Sequence, residues 1–388
     1  MIGAGRAQSD GPFQPVVGGP PTAPTIPAPA APVPTGRPTP LLLQGQDYVF
    51  RAPAGCFDFQ EQIHRLGMVA EEGGDPTPCV LVLARSADME MNELSIALAE
   101  RGIRMARIDA DRCLDLALTI YTDTPLLELD RWLLRPLLVW RRHFELSAMP
   151  VDPRTIAGSY ALDQWRTVSG WLTERTDWAH VNPTRTTGHL NRLTQLSDAT
   201  AFGLRTPRTA VSTQPGRSRP GGGACIVKTT GRHLLEPRPG VQHGLFPRPL
   251  DTARAGDVPE PAPVIVQQYL NADTELRVFV VGEQLIGYQV DKFDPAQLWV
   301  DPDAVTVRRT EVPPALADRL LALARHWKLQ VAAFDLLVVD GDHVFLEVNV
   351  NCDWRWFEHR AETTEVSDAV HRWVADRFGE LLGGHQSR

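Results

Sequence analysis

The chain has 388 residues, enough for two or three domains, and its 43% hydrophobic and 22% charged content is that of an ordinary globular protein. A formal net charge of −8 argues against nucleic-acid or anionic-membrane binding, which needs clustered basic surface. The five cysteines (56, 79, 113, 225 and 352) form no CxxC pair, no apolar run is long enough to span a bilayer, and residues 1–40 lack the apolar core of a secretory signal; a reduced cytoplasm is the expected setting.

Residues 1–40 hold eleven of the 33 prolines. Such a stretch buries too little apolar surface to offset its ordering entropy, so a disordered tail is expected over 1–45, with Met68 an alternative start. Residues 41–67 give no clear expectation. The globular pattern begins at "CVLVLARS" (79–86), a continuous apolar run of the kind buried in parallel sheets. A helix over "MEMNELSIALAERG", stopped by Gly102, and the strand "IRMARIDAD" follow, and "RPLLVWRRHF" (135–144) is another strand. Residues 155–175 form an amphipathic helix. "WAHVNPT" leads into a second helix, "GHLNRLTQLSDATAFG", with Leu190, Leu193, Leu196 and Ala199 at helical spacing and Gly203 and Pro207 ending it.

"GACIVKTT" (223–230) is a strand carrying Lys228, followed by a Gly/Pro-rich connection (231–263) long enough for a mobile cover loop. "VIVQQYL" (264–270) is a strand, and "ELRVFVVGEQLIGYQVD" (275–291) a hairpin turning at Gly282-Glu283. A helix over 314–328 precedes a second hairpin, "AFDLLVVDGDHVFLEVN", and residues 366–382 form the last helix.

The second hairpin carries the chemistry. Glu347 and Asn349, two apart, share one face of their strand. A three-residue loop over Asp340–Asp342 places Asp335 opposite Glu347, whereas a two-residue Asp-Gly turn pairs it with Leu346 on the wrong face. Two facing carboxylates destabilise a hairpin unless a cation lies between them, and oxygen ligands without His or Cys suit Mg²⁺; a solvated polar face is the plain alternative. Lys228 lies within an apolar strand, in a chain with only two other lysines, 292 and 328. Either its ammonium meets an anion such as phosphate, or it guards a sheet edge. Arg277 alternates with apolar residues and either points into a site or makes a cross-strand ion pair. No P-loop, GxGxxG, GxSxG or HExxH pattern is present.

The order of a lysine strand, a flexible loop, "VQQYL", "ELRV" and "DLL…FLEVN" resembles the ATP-grasp ligase superfamily. "LLVWRRHF", "WAHVNPT" and "LEVNVNCDWRWFE" are similar to segments of the ATP-grasp maturases of ribosomal peptides, the graspetide or microviridin-type macrocyclising ligases. The resemblance covers residues 79–380. It implies an α/β (α+β) chain with the ATP-grasp fold: an N-terminal pre-ATP-grasp domain over 79–180, a central subdomain over 181–265 and a C-terminal subdomain over 266–385. ATP and Mg²⁺ are the implied cofactors, with Asp335, Glu347 and Asn349 as metal ligands and Lys228 on the phosphates. Gln267, Gln268, Tyr269 and Leu270 are the implied adenine hinge, Arg277 faces the phosphoryl centre, and Glu275 supports that arginine or the ribose. Arg192 stands where the family often has a second lysine, Val350 replaces a proline, and Cys352-Asp353 replaces Gly-Gln.

The implied activity is ADP-forming: Asp or Glu side chains of a precursor peptide become acyl phosphates and are captured by Ser, Thr or Lys side chains as esters or amides. The first domain, with Arg141 and Arg142, is expected to help hold that peptide, and a homodimer is expected. A small-molecule ATP-grasp ligase and a non-catalytic nucleotide-binding module are the alternatives.

Overall fold

The computed structural model describes residues 42, 48–51, 75–182, 190–239, 241–251, 259–292 and 301–386. The tail expected over 1–45 falls, Leu42 apart, outside the described residues. Four sheets organise the described residues. Strand β1 (Tyr48–Arg51) precedes β2 (Thr77–Ala84), α1 (Met89–Ala99) and β3 (Arg104–Asp109). Next come β4 (Leu118–Ile120), β5 (Leu127–Leu129), β6 (Trp132–Arg141), α2 (Ile156–Glu174) and β7 (Ala179–Val181). The first sheet has the order β3–β2–β6–β5–β4, with β7 beside β6. Its centre is parallel, and β2 is an uninterrupted buried run because side chains pack on both of its faces. Asp88 caps α1 by accepting from the Met91 amide at 3.2 Å, and Gly102, at φ +69°, ends the turn after it.

Helix α3 (Arg192–Ala201) starts at Asn191, whose side chain accepts from the amides of Leu193 and Thr194. This start lies inside the predicted span, and Leu193 is exposed, so the buried stripe is Gln195, Leu196 and Ala199 rather than one including Leu193. The next strands are β8 (Thr209–Ser212), β9 (Cys225–Thr229), β10 (Leu234–Arg238), β11 (Val241–Gly244), β12 (Arg248–Pro249) and β13 (Val264–Gln268). The connection over 231–263, expected as a mobile cover loop, contains three strands among its described residues: β10 and β11 pair with each other, β1 pairs with β11, and β12 joins β9. It is also tied down by ion pairs: Glu236 accepts from Arg85 at 2.5 and 2.7 Å, and Arg232 pairs with Glu145. Its glycines and prolines suggest a loop, while β1, Arg85 and Glu145, which help hold it, come from distant sequence.

The remaining elements are β14 (Thr274–Val281), β15 (Gln284–Asp291), β16 (Thr306–Thr310), α4 (Pro314–His326), β17 (Val331–Val339), β18 (Asp342–Asn349), α5 (Arg355–Ala361) and α6 (Glu365–Gln386). The antiparallel sheet β16–β15–β14–β17–β18 packs one face on α3 and α4 through Leu320, Leu323, Phe334 and Phe345. Its other face joins α6 and the first sheet in one core that includes Phe279, Val370, Val80 and Trp140. The last helix is therefore shared between the two largest sheets.

Candidate active site

The decisive local event lies in the β17–β18 hairpin. Its turn is the two-residue Asp340-Gly341, with φ of +52° and +80° and Val339 facing Asp342. That is the turn expected to put Asp335 on the wrong face. A β-bulge between Leu336 and Asp335 corrects the register, so Leu336 faces Phe345 while Asp335 faces Glu347 and Ala333 faces Asn349. Phe345 and Val348 consequently bury on the α3–α4 side, and Glu347 and Asn349 turn to the side of Asp335. The expected juxtaposition is present, through a bulge rather than a longer loop.

Asn349 donates from Nδ2 to Asp335 at 2.7 Å and to Glu347 at 3.4 Å. Arg277 lies directly opposite Asp335 on β14 and donates to both of its carboxylate oxygens, at 2.6 and 2.8 Å. It is a buried cross-strand pair, not a surface one, and its Nε is buried with no partner among the described residues. Burial pushes the Asp335 pKa up, Arg277 opposes that, and Glu347 adds to it.

Two buried side chains position the rest. Gln195 of α3 donates to the Val348 carbonyl at 3.2 Å and accepts from its amide at 2.8 Å, so the helix completes the edge of β18. One turn earlier, Arg192 then lies over Glu347, Nε to Oε2 3.4 Å, while its Nη1 donates to the Thr229 carbonyl at 3.2 Å. Asn182, from "WAHVNPT", accepts from the amides of Gln330 and Val331 at 2.7 and 3.0 Å, pinning the start of β17.

Lys228 projects from β9, which lies within the order β12–β9–β13–β8 rather than at an edge. Burial depresses its pKa, and Arg192 adds to the depression against the pull of Glu347. Burial works against an ionised Glu347, yet Arg192, Lys228 and His233 outweigh it and bring its pKa to about 2. Glu275, two residues before Arg277, pairs with Lys292 at 3.0 Å. Burial raises the Glu275 pKa and Lys292 opposes the rise. At the hinge, Gln267 turns its side chain to Thr209, at 3.0 Å. The backbone amides of Gln268 and Tyr269 donate to Arg208 and Ala224, each at 2.8 Å. Tyr269 is exposed, and Leu270 packs on Leu337, Val339 and Val344.

The structure thus gathers Lys228, Arg192, Arg277, Asp335, Glu347 and Asn349, with Glu275 beside them, and residues 267–270, expected as the adenine hinge, at and just beyond the end of β13. His233 and Lys292 join them without having been assigned a role from sequence. Lys292 had a signal, being one of three lysines; His233 had none. Arg142 goes the other way: it is fully buried, donates to Asp88 at 3.0 Å and to Asp353 at 2.7 Å, and lies over the Trp354 ring, so it cannot hold a peptide.

Among the described residues no group of three or more His, Cys, Asp or Glu side chains could hold a metal ion. Mg²⁺ does not require one, because it is usually held by one or two carboxylates, phosphate oxygens and water. Two facing carboxylates, an amide and surrounding cations suit Mg²⁺ bound together with an anionic ligand. No helix among the described residues is long and apolar enough to cross a membrane.

No family model and no curated protein matches the chain, and similarity is found among solved structures. The macrocyclase MdnC of Microcystis aeruginosa MRC, bound with precursor peptide MdnA, is 19% identical at a TM-score of 0.64, covering 76% of this chain and 98% of that one. The ATP-grasp ligase PsnB, complexed with minimal precursor, Mg and ADP, is 19% identical at 0.63, covering 79% and 100%. The chain has the ATP-grasp fold. Within it, the pair of carboxylates on β17 and β18 lies across from the lysine of β9. A third neighbour in shape is the D-cycloserine synthetase DcsG, 15% identical at a TM-score of 0.50, covering 77% of this chain and 99% of that one.

Proposed function

We propose that the chain is an ATP- and Mg²⁺-dependent carboxylate ligase of ribosomal precursor peptides, acting in the cytoplasm. Activated Asp or Glu side chains of the peptide are captured by its Ser, Thr or Lys side chains to give ester or amide crosslinks. The observation that carries this is the Asp335–Glu347–Asn349 patch facing Lys228, Arg192 and Arg277 in the ATP-grasp fold. The peptide-bound structures of MdnC and PsnB support a peptide substrate, and the Mg and ADP of PsnB support the cofactors.

In this reading Asp335, Glu347 and Asn349 hold Mg²⁺, which when bound neutralises phosphate charge. Lys228 and Arg192 add fixed positive charge at the phosphates, and Arg277 orients Asp335 and faces the transferring phosphoryl group. Glu347, kept ionised by its cations, is ready to ligate without first losing a proton. Gln267, Gln268, Tyr269 and Leu270 line the end that takes the adenine.

The test is mass spectrometry of a short Thr-, Asp- and Glu-rich peptide encoded beside this gene, incubated with the protein, ATP and Mg²⁺. ATP-dependent loss of one water per bond, abolished in Glu347→Gln, is the expected result. ADP release with free amino acids and no dehydrated peptide would instead favour a small-molecule ligase. ATP binding without turnover on either substrate set would leave only a binding module.

A further inference from the structure

The residues given roles so far supply charge and metal ligands, but none takes a proton from the attacking nucleophile. His143 and Asp353 are set for that task. His143 follows β6 and Asp353 follows β18, and the imidazole Nε2 meets Asp353 Oδ1 at 2.8 Å. The same oxygen accepts from Arg142 Nη2 at 2.7 Å, and Arg142 is in turn fixed by Asp88 at 3.0 Å. One carboxylate oxygen is thus held by a buried cation and also orients the imidazole. Water reaches both groups, with side-chain exposures of 34% and 50%.

The segment after β18 that carries Asp353 also reaches the Asp335 centre: Arg277 lies over the Phe357 ring at 5.1 Å, as Arg142 lies over the Trp354 ring at 4.9 Å. His143 adopts φ +52°, a left-handed backbone uncommon outside glycine. Asp353 stands where the resembling family has Gln, so here the imidazole gains a charged partner.

We infer that His143, oriented by Asp353, is the general base for capture of the acyl phosphate, an inference that rests on the ligase reading above. With Nε2–H donated to Asp353, Nδ1 keeps the free lone pair. As a Ser or Thr oxygen bonds to the acyl carbon, its proton passes to Nδ1. The bond from that carbon to the phosphate oxygen breaks with its electron pair, and the proton then moves to the departing phosphate. Burial lowers the His143 pKa, but Asp353, aided by Asp88 and opposed by Arg142, brings it above the ordinary value. Capture therefore requires pH above that raised pKa and is lost as pH falls through it.

The test separates activation from capture. Hydroxylamine traps the acyl phosphate as a hydroxamate without a protein base, whereas water loss from the peptide reads capture. In His143→Gln, capture should fall by about 10²–10⁴-fold while ATP-dependent hydroxamate persists within a few-fold of the wild type. In Asp353→Asn, which preserves shape, the acid limb of capture should move to lower pH. Parallel loss of both readouts in His143→Gln, undiminished capture, or a slower Asp353→Asn with an unmoved limb would overturn the assignment. A wild-type chain that forms no hydroxamate would instead overturn the ligase reading itself, and this inference with it.

Discussion

Lys228 shows how much one residue's meaning depends on its surroundings. A lysine costs little on a surface, but here burial and Arg192 both push its ammonium toward the neutral form, and Glu347 is its main counterweight. Removing that counterweight in Glu347→Gln should depress the Lys228 pKa further. Because the chain has only three lysines, amine labelling followed by peptide mass spectrometry can read each one separately. Lys228 in Glu347→Gln is expected to label about three- to tenfold faster at pH 8 than in the wild type. An unchanged rate would mean that the two groups do not sense each other.

The two hairpins of the five-stranded sheet test how local chemistry sets an element. Gly282 and Gly341 both adopt positive φ, at +59° and +80°. A Cβ on Gly341 meets nothing within 4 Å, whereas one on Gly282 would come within 2.9 Å of the Trp373 ring on α6. Gly341→Ala should therefore cost only the backbone term of about 1 kcal/mol. Gly282→Ala should cost more, since the ring must also shift, and urea unfolding of the two variants measures the difference. The positions of both turns were legible, because Gly-Glu and Asp-Gly each interrupt an apolar alternation. The bulge before Glu347 was not: "HVFLEVN" is apolar at 344, 345 and 346, so its pattern does not show which residue drops out of register. Packing of Phe345 and Val348 on α3 and α4 decides it.

Arg142 joins parts of the molecule that the sequence keeps far apart: the first sheet, the start of α1 and the segment after β18. Three carboxylates, Asp88, Glu90 and Asp353, surround this one guanidinium. Burial raises the pKa of Glu90 to about 7, despite Arg142 and helped by Asp353 and Asp88. Between its ordinary value of 4.5 and about 7, the folded chain holds a proton that the unfolded chain has lost, so this group makes stability fall as pH rises through that window. Glu90→Gln should flatten the slope, as followed by Tm between pH 5 and 8. Glu347 acts with the opposite sign and at lower pH, because its depressed pKa contributes stability that is lost as pH falls toward about 2.

The sequence by itself determined the periodicity of the two main sheets and the helices around them, the order of the site residues along the chain, and the alternation that puts Glu347 and Asn349 on one face. These follow from neighbours a few residues apart, where backbone geometry fixes which side chains share a side. Only the tertiary structure decided which side that is, that Arg142 is an internal tie, that the connection over 231–263 carries strands, and that His143 meets Asp353. Each of these depends on packing or pairing beyond the local run of sequence, and for Arg142, His143 and the β1–β11 pair on partners far along the chain, whose approach is set by burial and charge pairing across the fold.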